Sequence, residues 1–298
     1  MKVFVTGGTG FVGSEVLRQL AAAGHTPRCL VRRGSEKKLA LDSGVEVRHG
    51  DVTEPATLKG ALEGCDAVIH LVGIIREFPG RGITFAQMHA AATRHVVAAA
   101  KEQKVRRYLQ MSANGTREDA ATAYHRTKWE AEEAVRASGL AWTIFRPSLI
   151  FGPKDEFVNM IAGMIRSLPV VPVLGDGRYR MSPVAVEDVA AGFVRALERP
   201  DTARSTFHCC GPENHSYDEL IDLVGAALGR PRPAKLHHPL FLMKPMIALL
   251  EAIPQFPVTS GQLKMLLEGN VCDPADWAAA FGLDPTPFAK GVKRYLKP

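Results

Sequence analysis

Tyr124 and Lys128 stand four residues apart in AYHRTKWEAE. On a helix that spacing puts a phenol and an ammonium on one face. An ammonium beside a phenol favours the phenolate and draws its pKa down from about 10. Such a phenol can give a proton to, or take one from, a carbonyl or carbinol. The pair is common by chance, so its weight depends on where the fold puts it.

A second group opens the chain. In KVFVTGGTGFVGSEVL, Gly7, Gly10 and Gly13 recur every third residue between an apolar run and a helix-like run. The first glycine permits a tight turn, the second lets a pyrophosphate approach the backbone, and the third lets the helix pack on the strand. The helix N-terminus then offers free N–H groups to the phosphates. At the first strand-to-helix turn of a repeated β-α pattern, these glycines read as a dinucleotide site. The next strand ends CLVRRGS, with no carboxylate to hold a ribose 2′-OH. Arg32 and Arg33 there suit a 2′-phosphate, so the expected cofactor is NADP, with NAD as the alternative. Asp51, in HGD after the third strand, is expected to reach the adenine amino group.

These groups need a scaffold, and the hydrophobic pattern supplies one. KVFVT, TPRCLV, VEVRHGD, DAVIHLV, RRYLQMS and AWTIFRP read as six strands. Between them the pattern predicts helices over 13–23, 54–62, 84–104 and 124–137. Short apolar strands alternating with helices imply an α/β fold, a doubly wound parallel sheet covered on both faces. After residue 152 prolines and short elements take over, with helices expected over 186–197, 217–228, 240–252, 261–267, 275–280 and 288–295. The division expected is a dinucleotide-binding domain over 1–152, also receiving segments near 180–210, and a smaller, mostly helical substrate or partner lobe over 153–298.

Composition narrows the classes. The 298 residues are 46% hydrophobic and 23% charged, which suits a globular protein with a real core. The net charge is +6, but Lys and Arg are scattered, which argues against a nucleic-acid partner. Five cysteines without C-x-x-C spacing give neither a zinc site nor a disulfide framework. Cys29, Cys65, Cys209 and Cys210 lie in apolar runs and read as buried free thiols, which fits a reducing, cytoplasmic location. The chain opens directly into a strand, without a signal-peptide pattern. Its longest apolar stretch, Pro239 to Pro254, is interrupted by Lys244 and Pro245. It reads as a packed or interfacial helix rather than a span.

TGGTGFVG, the GD at Asp51, HLVG, YHRTK and RPSLIFGP together resemble the short-chain dehydrogenase/reductase superfamily, in its extended or atypical branch. SPVAVEDVAAGFVRAL and FHCCGPENHSYDELIDLVGAALGR resemble second-lobe segments of the epimerase/dehydratase-like group. The ending, QLKMLLEGNVCD with PTPFAKGVKRYL, resembles bacterial relatives of the Rossmann-like accessory subunit of respiratory complex I. The resemblance implies that Gly7, Gly10, Phe11, Val12 and Gly13 line the pyrophosphate, and that Arg32 clamps the 2′-phosphate with Arg33 beside it. It implies Asp51 and Val52 at the adenine, and Leu71, Val72 and Gly73 beneath the ribose. Tyr124 would be the acid/base, Lys128 would also anchor the nicotinamide ribose, and Pro147 and Ile150 would border the nicotinamide.

Two positions depart from the family pattern. The family sets a hydroxyl beside the substrate carbonyl at the end of the fifth strand, where QMSANG offers Ser112 in one register and Ala113 in the next. His89 stands where an Asn is common, and reads as structural. Three functions follow. One is an NAD(P)(H)-dependent oxidoreductase passing hydride between nicotinamide and a carbonyl, alcohol or quinone-like substrate. The alternatives are a non-catalytic NADP(H)-binding subunit or redox sensor, and a sugar-nucleotide epimerase or dehydratase, for which Arg178 and Arg180 are the only clamp candidates. The apolar Leu240 to Leu250 stretch permits a hydrophobic small-molecule substrate, and peripheral membrane or respiratory-complex association.

Overall fold

A computed structural model describes residues 1–39, 44–251, 253, 256 and 258–297. In chain order the elements begin with β1 (Lys2–Thr6), α1 (Phe11–Ala22), β2 (Thr26–Val31), β3 (Glu46–His49) and β4 (Ala67–His70). Then come α2 (Ala92–Glu102), β5 (Arg107–Met111), α3 (Ala123–Arg136), β6 (Ala141–Pro147), β7 (Ile150–Phe151) and α4 (Phe157–Ser167). β8 (Val171–Leu174), β9 (Arg180–Met181), β10 (Val184–Ala185), α5 (Val186–Ala196), β11 (Ser205–Cys209), β12 (His215–Ser216) and α6 (Tyr217–Ala227) follow. The last elements are β13 (Lys235–His238), α7 (Leu240–Leu250), α8 (Ser260–Glu268), α9 (Ala275–Phe281) and α10 (Phe288–Val292).

Seven strands form one sheet in the order β11-β6-β5-β4-β1-β2-β3, every pairing parallel. The chain winds outward from β1 to β3, returns to β4, and winds the other way. The order therefore reverses between β1 and β4, and the crevice beyond their carboxyl ends is where such sheets take ligands. Side chains alternate across the sheet. Phe4, Val68, Tyr108 and Ile144 pack on one face with Leu58, Val96 and Val135. On the other, the Phe145 ring lies 4.3 Å from Phe193 of α5 and 5.4 Å from Phe281 of α9.

The chain divides into two compact units. The first comprises Met1–Pro147, Val186–Cys209 and Ala275–Leu283, and holds the whole sheet. The second comprises Ser148–Ala185, Cys210–Pro274 and Asp284–Pro298. It is built from α4, α6 and α10 around Phe151, Ile161, Val173, Leu220 and Phe288, with three two-stranded ladders.

Three local expectations are corrected. The helix expected over 54–62 is a single 3-10 turn, Pro55–Leu58. Gly60 adopts φ +68°, and the Thr57 hydroxyl bonds backbone carbonyls of Asp51 and Glu54, so the local backbone is committed elsewhere. The helix expected over 84–104 opens as a π-helical turn, Ala86–Ala91, before α2. Cys210 is not a free thiol: it is disulfide-bonded to Cys272, 62 residues away. Sequence spacing cannot show a contact made by two distant loops. Cys29, Cys65 and Cys209 are buried and free. The expected helix end at Ala252 lies outside the described residues.

Candidate cofactor and active site

The turn after β1 is held by its own backbone. Gly7 adopts φ +79°, and the Gly10 N–H donates to the Gly7 carbonyl at 3.0 Å. A Cβ on Gly13 would stand 2.1 Å from that carbonyl, so α1 packs on the turn only because residue 13 has no side chain. Gly8 is equally constrained and has no place in the three-glycine pattern. A Cβ there would lie 2.4 Å from Cys29 Sγ and 2.9 Å from Leu17 Cδ1. Gly10 differs: its Cβ would meet only the Gly7 carbonyl, at 3.2 Å, and otherwise open space. No side chain caps α1 and no acid lies in its first turn, so its leading N–H groups are available to an anion.

Arg32 and Arg33 follow β2, exposed and outside any ion pair among the described residues. Asp51 Oδ1 accepts from the Thr53 N–H at 2.9 Å and the Thr53 hydroxyl at 2.8 Å. Its other oxygen has no partner among the described residues. Val52 is buried in the sheet's hydrophobic cluster, and its carbonyl accepts from His95 Nδ1 at 2.9 Å.

At the reversal point the exit of β4 runs against the glycine turn. The Leu71 N–H donates to the Thr6 carbonyl at 3.1 Å. A Cβ on Gly7 would stand 3.1 Å from the Leu71 carbonyl carbon and 3.2 Å from the Val72 nitrogen. Two residues on, a Cβ on Gly73 would lie 2.8 Å from Lys128 Nζ. The cofactor turn, the β4 exit and α3 thus form one continuous contact.

Lys128 is buried, 3% exposed, and donates one long hydrogen bond, 3.3 Å, to the Met111 carbonyl. Burial pushes its pKa down to about 8. An ammonium has three protons to place, so most of its donor capacity is uncommitted. Tyr124 packs edge-on against His89 at 5.3 Å, Phe85 at 5.7 Å and His125 at 5.1 Å. Its hydroxyl has no hydrogen-bond partner among the described residues. Here the expected electrostatics are reversed: burial pushes the phenol up to about 12, with no counteracting charge. Desolvation disfavours the phenolate.

His89 is 1% exposed on the π-helical turn. Nδ1 lies 2.9 Å from Thr127 Oγ1, and Nε2 3.2 Å from the Ile74 nitrogen and 3.1 Å from its carbonyl. Either neutral tautomer uses both ring nitrogens, so the ring bolts the β4 exit to α3. Burial and then the Lys128 charge push its pKa down to about 2. Only its place opposite the Tyr-Lys helix could have signalled this.

Ser112 is buried, and its hydroxyl donates to Thr116 Oγ1 at 3.4 Å. No contact with Tyr124 is among those described, and Ala113 offers only a methyl group. Pro147 ends β6, paired with Cys209, and Ile150 lies in β7 of the second unit, paired with Val184. Arg180 donates to the Asn214 carbonyl at 2.6 Å, while Arg178 is exposed.

The profile of the NAD dependent epimerase/dehydratase family matches residues 3–210. The chain belongs to that family. It is 30% identical over 238 residues to a ceramide reductase of Caulobacter vibrioides, covering 80% of this chain and 74% of that one. It is 31% identical to an NAD(P)H azoreductase of Xenophilus azovorans, covering 77% and 74%. It is 30% identical to subunit 9 of the NADH dehydrogenase [ubiquinone] 1 alpha subcomplex of Arabidopsis thaliana, covering 87% of this chain and 66% of that subunit. In fold it is similar to a UDP-glucose 4-epimerase of Thermotoga maritima, with a TM-score of 0.78 at 18% identity over 99% and 98% of the two chains. The fold class is therefore the doubly wound sheet expected, in an NAD(P)-binding oxidoreductase family whose relatives include complex I subunits.

Proposed function

We propose that this family member binds NADP(H) and reduces a carbonyl or quinone-like group on a small, apolar substrate. The observation that carries the reading is the buried Lys128 ammonium, mostly uncommitted, against Gly73 and one turn of α3 from Tyr124. Gly7, Gly10, Phe11, Val12 and Gly13 would hold the pyrophosphate, with the uncapped start of α1 supplying N–H donors. Arg32 and Arg33 would hold the 2′-phosphate, Asp51 and Val52 the adenine, and Leu71 to Gly73 the ribose. Pro147 and Ile150 would border the nicotinamide. The cofactor, when bound, supplies the hydride.

The chain's own part is the proton. Tyr124, protonated far above neutral pH, suits the donor role in reduction better than the base role in alcohol oxidation. Lys128 would place two or more of its protons on ribose hydroxyls. In the test, NADPH oxidation is followed against aldehydes, ketones, quinones and sugar nucleotides. Tyr124→Phe keeps the ring and should lose ~10²–10⁴ in rate with cofactor affinity nearly unchanged. Arg32→Ala should remove most of the preference for NADPH over NADH. Equal affinity of the wild type for both cofactors would refute the arginine assignment.

A second reading is a non-catalytic NADP(H)-binding subunit. It is favoured by the hydrogen bond of Ser112 to Thr116, with no contact to Tyr124 among those described, and by the complex I relatives. A wild type that binds NADPH but turns over nothing in that panel would select it.

A further inference from the structure

Helix α7 inverts the usual pattern of a surface helix. Its sequence, LFLMKPMIALL, buries only Ile247. At 3.6 residues per turn, Phe241, Pro245, Leu249, Leu242 and Met246 fall within an arc of about 140°. Every one of them is exposed, Phe241 74%, Leu249 77%, Leu242 57% and Met246 40%, and Pro245 likewise. No charge interrupts the arc. Lys244 stands at its flank, exposed, where a charged head can sit beside an apolar face. A contiguous apolar face of this kind marks an interaction surface.

The charges of its segment bear on what covers it. Residues 222–273 contain Arg230, Arg232, Lys235, Lys244 and Lys264 against Asp222, Glu251, Glu268 and Asp273. Lys235 is paired with Asp222, and Glu251 accepts the Ser260 N–H. Arg232, Lys244 and Lys264 are exposed and outside any ion pair among the described residues. Lys264 lies on α8, which packs against α7. Lys244 at the flank and Lys264 on the packed α8 complement a negative surface, whereas a second copy would carry the same cations and not that complement. No helix among the described residues is long and apolar enough to cross a membrane.

We propose that α7 is a peripheral docking helix that lays its outward apolar face into the headgroup–acyl boundary of an anionic bilayer. Lys244 and Lys264 would then meet the lipid phosphates. This is independent of the cofactor assignment. The test is flotation of the full chain with vesicles of phosphatidylcholine containing phosphatidylglycerol, and with phosphatidylcholine alone. The wild type should float with the anionic vesicles at low salt, and much less with phosphatidylcholine alone or at high salt. Phe241→Ser with Leu249→Ser, both exposed, should weaken binding roughly tenfold or more while leaving thermal unfolding unchanged. Lys244→Glu should weaken it mainly at low salt. A wild type that ignores anionic vesicles would overturn the proposal, as would a double serine variant that binds like the wild type. So would a wild-type dimer that the serine substitutions dissociate without any vesicle binding, which would assign the face to a second copy.

Discussion

Lys128 is held in a charge state that its surroundings oppose. Burial depresses its pKa to about 8 in the folded chain, against about 10.4 for an exposed lysine. Below pH 8 both folded and unfolded chains carry the proton, and the folded one pays the desolvation. Between pH 8 and about 10.4 the unfolded chain binds more protons, so this residue's contribution to stability rises with pH. Lys128→Met should therefore stabilise the cofactor-free protein at pH 7 by up to ~3 kcal/mol, and the gain should vanish by pH 10.5. Urea denaturation of the two proteins across that range measures the difference, in which other titrating groups cancel. A variant less stable than wild type at pH 7 would show that the Met111 carbonyl alone satisfies the ammonium. The methionine variant should also bind NADPH worse, separating a residue kept for a ligand from one kept for the fold.

At the scale of elements, the Tyr-Lys helix is tied to the β4 exit by a ring that the sequence reads as structural. His89→Ala removes the links from the β4 exit to Thr127, and should cost about 1–3 kcal/mol in unfolding free energy. It should also weaken NADPH binding, because Gly73 and Lys128 lose their common support. His89→Asn, which keeps a donor and an acceptor, should recover part of both. Unchanged stability in the alanine variant would mean the ring is only filler. The bounds of TPRCLV and AWTIFRP were legible because short β-branched and aromatic runs between turns have few alternatives. The Tyr-Lys helix was legible to within a residue, and Thr122 caps it. The contacts that no periodicity encodes were hidden. Gly8 is constrained by Cys29 across a strand, Cys210 by a loop 62 residues on, and His89 by a helix turn whose π geometry shifts its phase.

The whole molecule should be acid-sensitive before its carboxylates titrate. His70, hydrogen-bonded to Thr6 at 2.6 Å inside the sheet, has its pKa pushed down to about 3, chiefly by burial, and His89 to about 2. Unfolding exposes both to water, where they bind protons near pH 6.5. Stability is intact above that pH and should fall by about 3 kcal/mol between pH 6.5 and 5 from these two rings alone. Chemical denaturation at half-unit intervals tests this, and His70→Gln should remove roughly half of the loss. A flat profile from pH 7 to 5 would mean that both rings are reached by solvent or charged in the native state.

Cys29 turns the glycine turn into something that can be timed. Its sulfur fills the hollow left by Gly8, and burial pushes the thiol up to about 11. Almost none of it is thiolate at pH 8, and none is reachable while the turn is closed. Alkylation of Cys29 should therefore proceed only through excursions in which the turn lifts off β2, and its rate should count them. A dinucleotide gripping that turn should slow the count without touching the sulfur. Mass spectrometry of the modified Cys29 peptide, with and without saturating NADPH, reads the ratio. A ratio near one would place the ligand elsewhere, whatever affinity a titration returned.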